Sequence, residues 1–249
     1  MDLNKQFAIR NDCFKAGQKI KPQGIMWHST GANNPNLRRY VGPDDGKLGV
    51  NRFKNYWNRS GLKKCCHAFI GKLKNGDIAT YQILPWDYYG WHCGKGKKGS
   101  ANATHIGFEI CEDDKKDKSY AMSAYKEAIE LTAYLCKLYS LDPFGKLKNG
   151  LPVITDHAEA ARLGYASNHG DVLHWFGRYG ITLDKIRQDV AALLASGSSG
   201  AAEPEILYRV MVGTEFKLAG SYRNKKYAEA ELQRQIELGE AAKIVEVRR

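Results

Sequence analysis

Three short apolar runs constrain this chain most, because each carries one residue that a buried strand has no packing use for. Gly24-Ile-Met-Trp runs into His28, Thr104 to Cys111 is rich in Ile and Phe yet holds Glu109, and Leu151 to Thr155 leads to His157. Short apolar runs bounded by turn signals read as buried strands, and a polar residue closing one is delivered to a sheet end. A carboxylate inside such a strand is costly unless it is hydrogen-bonded, close to a metal or open to a cleft. Glu109 therefore reads as functional.

The intervening segments supply helices and turns. Residues 1 to 24 are polar with scattered apolar positions and are expected to wrap the surface. Ser29 to Pro35 is a turn-rich loop placed to line a cleft. Asn51 to Asn58 reads as a short helix with Phe53, Tyr56 and Trp57 inward. Cys66 to Ile70 and Asp77 to Leu84 flank Lys74-Asn75-Gly76, whose Asn-Gly suits a tight hairpin turn, and His67 on the first strand reads as a hydrogen-bonded core histidine. Ser119 is placed to cap a helix to about Ser140 with Ala128, Leu131, Leu135 and Leu138 on its core face. Thr182 to Leu194 reads as a closing helix with Ile186, Val190 and Leu193 on one side. Strands alternating with helices indicate an α/β domain.

Chemistry concentrates in Thr155 to Trp175, TDHAEAARLGYASNHGDVLHW, which holds His157, His169, Asp171 and His174. Imidazole nitrogen and carboxylate oxygen are ligands that Zn²⁺ accepts, and a catalytic zinc keeps three protein ligands and one open position. A further ligand must come from elsewhere, and His28 is the best donor. Asp171 precedes Val172-Leu173-His174-Trp175, which looks like a helical first turn, so its carboxylate has two uses open to it: capping that helix or holding metal. His174, one turn on, reads as structural.

The formal net charge is +11, and nine of those excess charges fall within residues 1–204. A basic surface suits any polyanion, but no helix-turn-helix, aromatic RNA-binding motif or zinc-finger spacing supports nucleic acid as the partner. The lysines sit in short clusters, which suit either a solvated face or attraction to a wall rich in carboxylates and phosphates. The six cysteines form no C-x-x-C pair, so no zinc knuckle or redox motif is indicated. MDLNKQFAIRND lacks the apolar stretch of a signal peptide and no run could span a bilayer, so synthesis in the cytoplasm without membrane insertion is expected.

Read together, WHSTGA (27–32), CCHAFIGKLKNGDIATYQILP (65–85), GWHCG (90–94), HIGFEIC (105–111) and DHAEAARLGYASNHGDVLHW (156–175) resemble, in order, the zinc-dependent N-acetylmuramoyl-L-alanine amidases of the peptidoglycan recognition and phage lysozyme type, clostridial and phage endolysins in particular. The resemblance covers about residues 1–195. It implies a central mixed β-sheet flanked by helices, and Zn²⁺ held by His28, His157 and Asp171. It also implies Glu109 as general base, His169 where relatives often have Lys, and Trp91, His92 and Asn102 at the substrate groove. Val172 stands where relatives usually have Pro. The implied activity is peptidoglycan hydrolysis at the muramoyl–L-alanine amide, as an endolysin or autolysin acting on the wall after release. A non-catalytic peptidoglycan-binding module is the alternative.

Ser196 to Pro204 is a flexible linker by composition. Beyond it, Leu207 to Val212, Lys225 to Leu238 and Ala242 to Val247 read as strand, helix and strand, so residues 205–249 form a small βαβ domain. That pattern resembles one half of the SPOR-type peptidoglycan-binding domain. A lone half of this size is marginal, so two chains are expected to pair their tails into a homodimer.

Overall fold

The computed structural model describes residues 1–199, 206–213, 217–222 and 225–248. The chain divides into two compact units, Met1–Leu194 and Ala195–Arg249.

The first unit is built on a six-stranded mixed sheet. Its strands are β1 (Leu3–Lys5), β2 (Gly24–Ser29), β3 (Ala68–Lys72), β4 (Ile78–Gln82), β5 (His105–Ile110) and β6 (Ile154–Asp156), in the order β1-β4-β3-β5-β2-β6. Only the β3–β4 hairpin is antiparallel; β1–β4, β3–β5, β5–β2 and β2–β6 are parallel. Its turn places Gly76 at φ +91°, in the left-handed region that favours glycine. Parallel central strands are covered on both faces, which is why Gly24–Ser29 is buried along its whole length. The expected surface wrapping by residues 1 to 24 is incomplete: Leu3–Lys5 pairs with Thr80–Gln82 as an edge strand.

Alternation along these strands sorts the residues by face. Ile25 and Trp27 of β2 and Ile106, Phe108 and Ile110 of β5 enter the main core, against Tyr120, Ala121, Ala124 and Ala128 of α2 (Lys118–Tyr139). The intervening positions, His28 and Glu109, fall on the other face, and the β2–β5 register pairs them directly. Helix α2 is capped by Asp117, whose side chain accepts from the Tyr120 N–H, and not by Ser119. Leu138, expected on its core face, is 48% exposed, whereas Leu131 and Leu135 are buried.

The remaining helices of this unit are α1 (Asp12–Ala16), α3 (His157–Leu163), α4 (Leu173–Phe176) and α5 (Leu183–Ser199). Ile186 and Val190 of α5 are buried, while Leu193 is 38% exposed. Helix α5 runs to Ser199, four residues into the segment read as linker, and 200–204 lie outside the described residues. Residues 51–58 contain no helix: the Asn51 side chain accepts from the Phe53 N–H and donates to the Arg38 carbonyl, offering the backbone another set of bonds. Phe53 is 87% exposed and only Trp57 of the three aromatics is buried.

The second unit contains β7 (Ile206–Val212), β8 (Lys217–Tyr222), α6 (Lys225–Glu237) and β9 (Ala242–Arg248). The strand–helix–strand pattern is present with one strand more than the sequence indicates. β7 lies between β8 and β9 and is antiparallel to both. Among the described residues of the whole chain, no helix is long and apolar enough to cross a membrane.

Candidate metal centre

Strands β2, β5 and β6 are parallel, so their carboxyl ends emerge at one edge of the sheet, where open α/β sheets place ligands. His28 is the penultimate residue of β2, and His157 follows β6 as the first residue of α3. Asp171 arrives from the loop before α4. The residue at that helix's N-cap is Val172, with no side-chain cap bond, so the Asp171 carboxylate is not spent on the helix. It faces the two imidazoles instead.

One ligand atom each from His28, His157 and Asp171 lies within 4.8 Å of the others. The His28 Nδ1 is 3.1 Å from Asp171 Oδ2 and 3.2 Å from His157 Nδ1, and His157 Nδ1 is 3.6 Å from Asp171 Oδ1. Second partners fix which nitrogen carries each proton. The carbonyl of His105, an acceptor only, takes the Nε2–H of His92 at 3.1 Å, so His92 Nδ1 is an acceptor for the Nε2–H of His28 at 2.9 Å. This leaves a lone pair on His28 Nδ1. The Ser167 hydroxyl donates to the Cys93 carbonyl at 3.1 Å and therefore accepts from His157 Nε2 at 3.3 Å. His157 Nδ1 is likewise left with a lone pair.

Two imidazole lone pairs and an acceptor-only carboxylate thus converge on one point, an arrangement that repels itself unless a cation sits among them. Burial pushes the His28 pKa down against the raising influence of Asp171, which keeps the ring neutral. Burial opposes ionisation of Asp171, yet the neighbouring His157 and His28 act the other way and hold the carboxyl well below the usual range. Two imidazole nitrogens and one carboxylate, with outer nitrogens tied to a histidine and a serine, form a donor set that fits a divalent zinc-type ion.

Glu109 borders a cavity of about 300 Å³ shared with Thr30, Tyr40, Lys64, Trp91 and His92. Its Oε2 has no hydrogen-bond partner, and burial, reinforced by the charge of Asp171, raises its pKa to about 8. His92 is held over Gly107, where a Cβ would lie 2.4 Å from its Nδ1. Asn102 is buried behind this segment, its Oδ1 accepting from the backbone N–H groups of His92 and Cys93 at 3.2 and 3.1 Å. It positions His92 from behind. His169 is exposed, its ring centroid 4.7 Å from that of His157, and it borders a second cavity of about 670 Å³ with Lys97, Lys98 and Arg162.

Two histidines outside the centre are structural, as their sequence positions indicate. His67 Nε2 donates to the Tyr88 carbonyl at 2.8 Å, and His174 lies 2.9 Å from the buried Glu112. Sequence reasoning missed Ser167, which touches His157, and also His169 at 3.1 Å. A serine in a polar loop gives no periodic signal. All six cysteines are free and buried.

Residues 18–171 match the family described as N-acetylmuramoyl-L-alanine amidase, a stretch that includes His28, Glu109, His157 and Asp171. Among curated proteins the chain is similar to N-acetylmuramoyl-L-alanine amidase CwlH of Bacillus subtilis (strain 168), 47% identical over 47 residues; the match spans 19% of this chain and 19% of the relative. Among solved structures it is similar to the Staphylococcus aureus hydrolase AmiA, solved with its ligand, at a TM-score of 0.55 and 16% identity over 81% of this chain and 86% of that one. It is also similar to PlyL, with a TM-score of 0.52 and 18% identity over 76% of this chain and 97% of that one. At these identities the likeness concerns the fold.

Proposed function

Since the chain belongs to the N-acetylmuramoyl-L-alanine amidase family, we propose that it is a lytic enzyme of the endolysin or autolysin kind. In this reading it hydrolyses the amide between the lactyl group of N-acetylmuramic acid and L-alanine of the peptidoglycan stem, with zinc held by His28, His157 and Asp171. The observation that carries the reading is the convergence of two imidazole lone pairs and a carboxylate beside an unpartnered Glu109 oxygen.

Bound there, zinc supplies Lewis acidity toward an amide carbonyl and toward water. The protein's own groups manage the proton. Glu109 takes a proton from the attacking water at its free Oε2 and hands it to the leaving amine, a base that becomes an acid. Its raised pKa suits both halves of that exchange near neutrality. His169, at the mouth of the centre, donates to the oxygen on which negative charge develops. Trp91 lines the cavity wall against the substrate. His92 and Asn102 act on the substrate indirectly, by holding His28 in its tautomer.

The rival reading, a wall-binding module without activity, leaves the cost of burying Glu109 unexplained. In our reading the tail adds wall affinity as a half-SPOR-like module that pairs with a second copy, and the enzyme is made in the cytoplasm and reaches the wall after release. Digestion of purified peptidoglycan, with and without a chelator, tests the reaction. Chelator-sensitive release of α-amino groups without new reducing sugar ends is the expected result. Reducing ends, or wall binding with no product, would refute it.

A further inference from the structure

Glu112 follows β5 by two residues and is 1% exposed, yet it lines neither the Glu109 cavity nor the one beside His169. A buried carboxylate is costly unless donors surround it. Its Oε1 accepts from the Ser29 hydroxyl at 2.7 Å, from the Gly31 N–H at 3.1 Å and from His174 Nε2 at 2.9 Å. Lys115 Nζ stands 3.4 Å from Oε2. The backbone repeats the connection: the Glu112 N–H donates to Thr30 Oγ1 at 3.0 Å, and the Glu112 carbonyl accepts from the Asn34 N–H at 2.8 Å. Gly31 adopts φ +62°, so the turn that brings its N–H to Glu112 favours glycine.

The partners of this carboxylate sit beside the residues that carry the chemistry. Ser29 follows His28 on β2, His174 lies three positions after Asp171 on α4, and Glu112 itself lies three positions after Glu109. One oxygen thus joins the exits of β2 and β5 to α4. Asp171 has a separate tether, its carbonyl accepting from the Ala158 N–H at 3.2 Å, which ties it to α3 and His157. The Glu112 bonds supply the complementary tie, from α4 to the strand that bears His28. Metal sites hold their ligands to within about 0.2 Å of fixed distances, and groups behind the ligands govern affinity by orienting them. Buried away from both cavities, Glu112 touches no reacting atom; it acts through the elements it joins.

We propose that Glu112 is a positioning residue for the metal centre: it clamps β2 to α4 and so sets the separation of His28 from Asp171. Ser29, Gly31 and His174 are the donors of that clamp. The assignment rests on the zinc amidase reading for the identity of the metal and of the reaction.

The test compares the full wild-type chain with Glu112→Ala, Glu112→Gln, His174→Phe and Leu135→Ala, the last a truncation in the core against α2 that lowers stability away from the site. Zn²⁺ affinity is measured on folded samples against a competing chelator, the absorption spectrum of the Co²⁺-substituted protein reads ligand geometry, and amine release gives kcat and KM. Glu112→Ala should weaken Zn²⁺ binding about 10- to 100-fold, shift the Co²⁺ bands and lower kcat while KM changes less than about twofold. Gln keeps an acceptor for the Ser29 and Gly31 donors, so Glu112→Gln should stay within about fivefold of wild type. His174→Phe removes one donor, keeps the carboxylate and should fall between the two. Wild-type affinity and an unshifted Co²⁺ spectrum in Glu112→Ala and His174→Phe overturn the assignment, and so does an equal loss in Leu135→Ala. Weakened zinc binding in Glu112→Ala, with no amide cleavage by wild type, would support the clamp while refuting the amidase reading. Cleavage by wild type with zinc binding indifferent to Glu112 would do the reverse.

Discussion

Glu109→Gln, made in the metal-free protein, separates the electrostatics of the site from its catalysis. Burial raises the Glu109 pKa from 4.5 to about 8. Between those values the native state holds a proton that the unfolded chain has released, so native stability falls as pH rises through this window. Each pH step costs about 1.36 kcal/mol, which reaches about 3 kcal/mol at pH 7 as an order of magnitude. Gln is isosteric with the protonated acid and cannot ionise, so the variant escapes the penalty. Urea denaturation in the presence of chelator, followed by tryptophan fluorescence, reads this directly, because Trp27, Trp57, Trp86, Trp91 and Trp175 all lie in the first unit. The variant should match wild type near pH 4, exceed it by about 3 kcal/mol at pH 7, and melt about 6–12 °C higher there. A difference that does not change between pH 4 and pH 8 would refute the claim that burial keeps Glu109 protonated up to about pH 8.

His92→Phe keeps the ring volume over Gly107 but removes the acceptor for His28 Nε2–H; zinc affinity, measured against a competing chelator, should fall about 10- to 100-fold, and unchanged affinity would dismiss the relay from the His105 carbonyl. His169→Ala should lower kcat by roughly 10²–10³ with little change in KM, and an equal loss expressed in KM alone would move His169 from charge stabilisation to substrate binding. Sedimentation velocity of the full chain at micromolar concentration should show a dimer that disappears on truncation after Leu194, whereas a monomeric full chain would reject the paired tails.

Much of the first unit was legible because a parallel sheet buries both faces of its central strands. Polar exceptions in such strands stand out, and His28 and Glu109 were visible for that reason, as was His157 directly after β6. Asp171 was ambiguous in sequence, since the same carboxylate suits a helix cap, and only the bare N-cap at Val172 resolves it. What stayed hidden depends on contacts that carry no local pattern. The three-residue strand Leu3–Lys5 is mostly polar and is held by backbone pairing at a sheet edge. Residues 51–58 look amphipathic, but Asn51 draws the backbone into turns and leaves Phe53 outside. Lys217–Tyr222, KLAGSY, contains no β-branched residue and becomes a strand through its pairing with β7. The acceptor that orients His92 is a backbone carbonyl, and every residue has one.

Titration of the metal-free chain with Zn²⁺, reading bound metal and amine release from peptidoglycan in the same samples, decides whether His28, His157 and Asp171 form a catalytic zinc centre. Both should saturate together at one equivalent per chain, and Asp171→Ala should abolish both. Full activity in the metal-free chain, or stoichiometric binding that leaves the amide uncut, would contradict it.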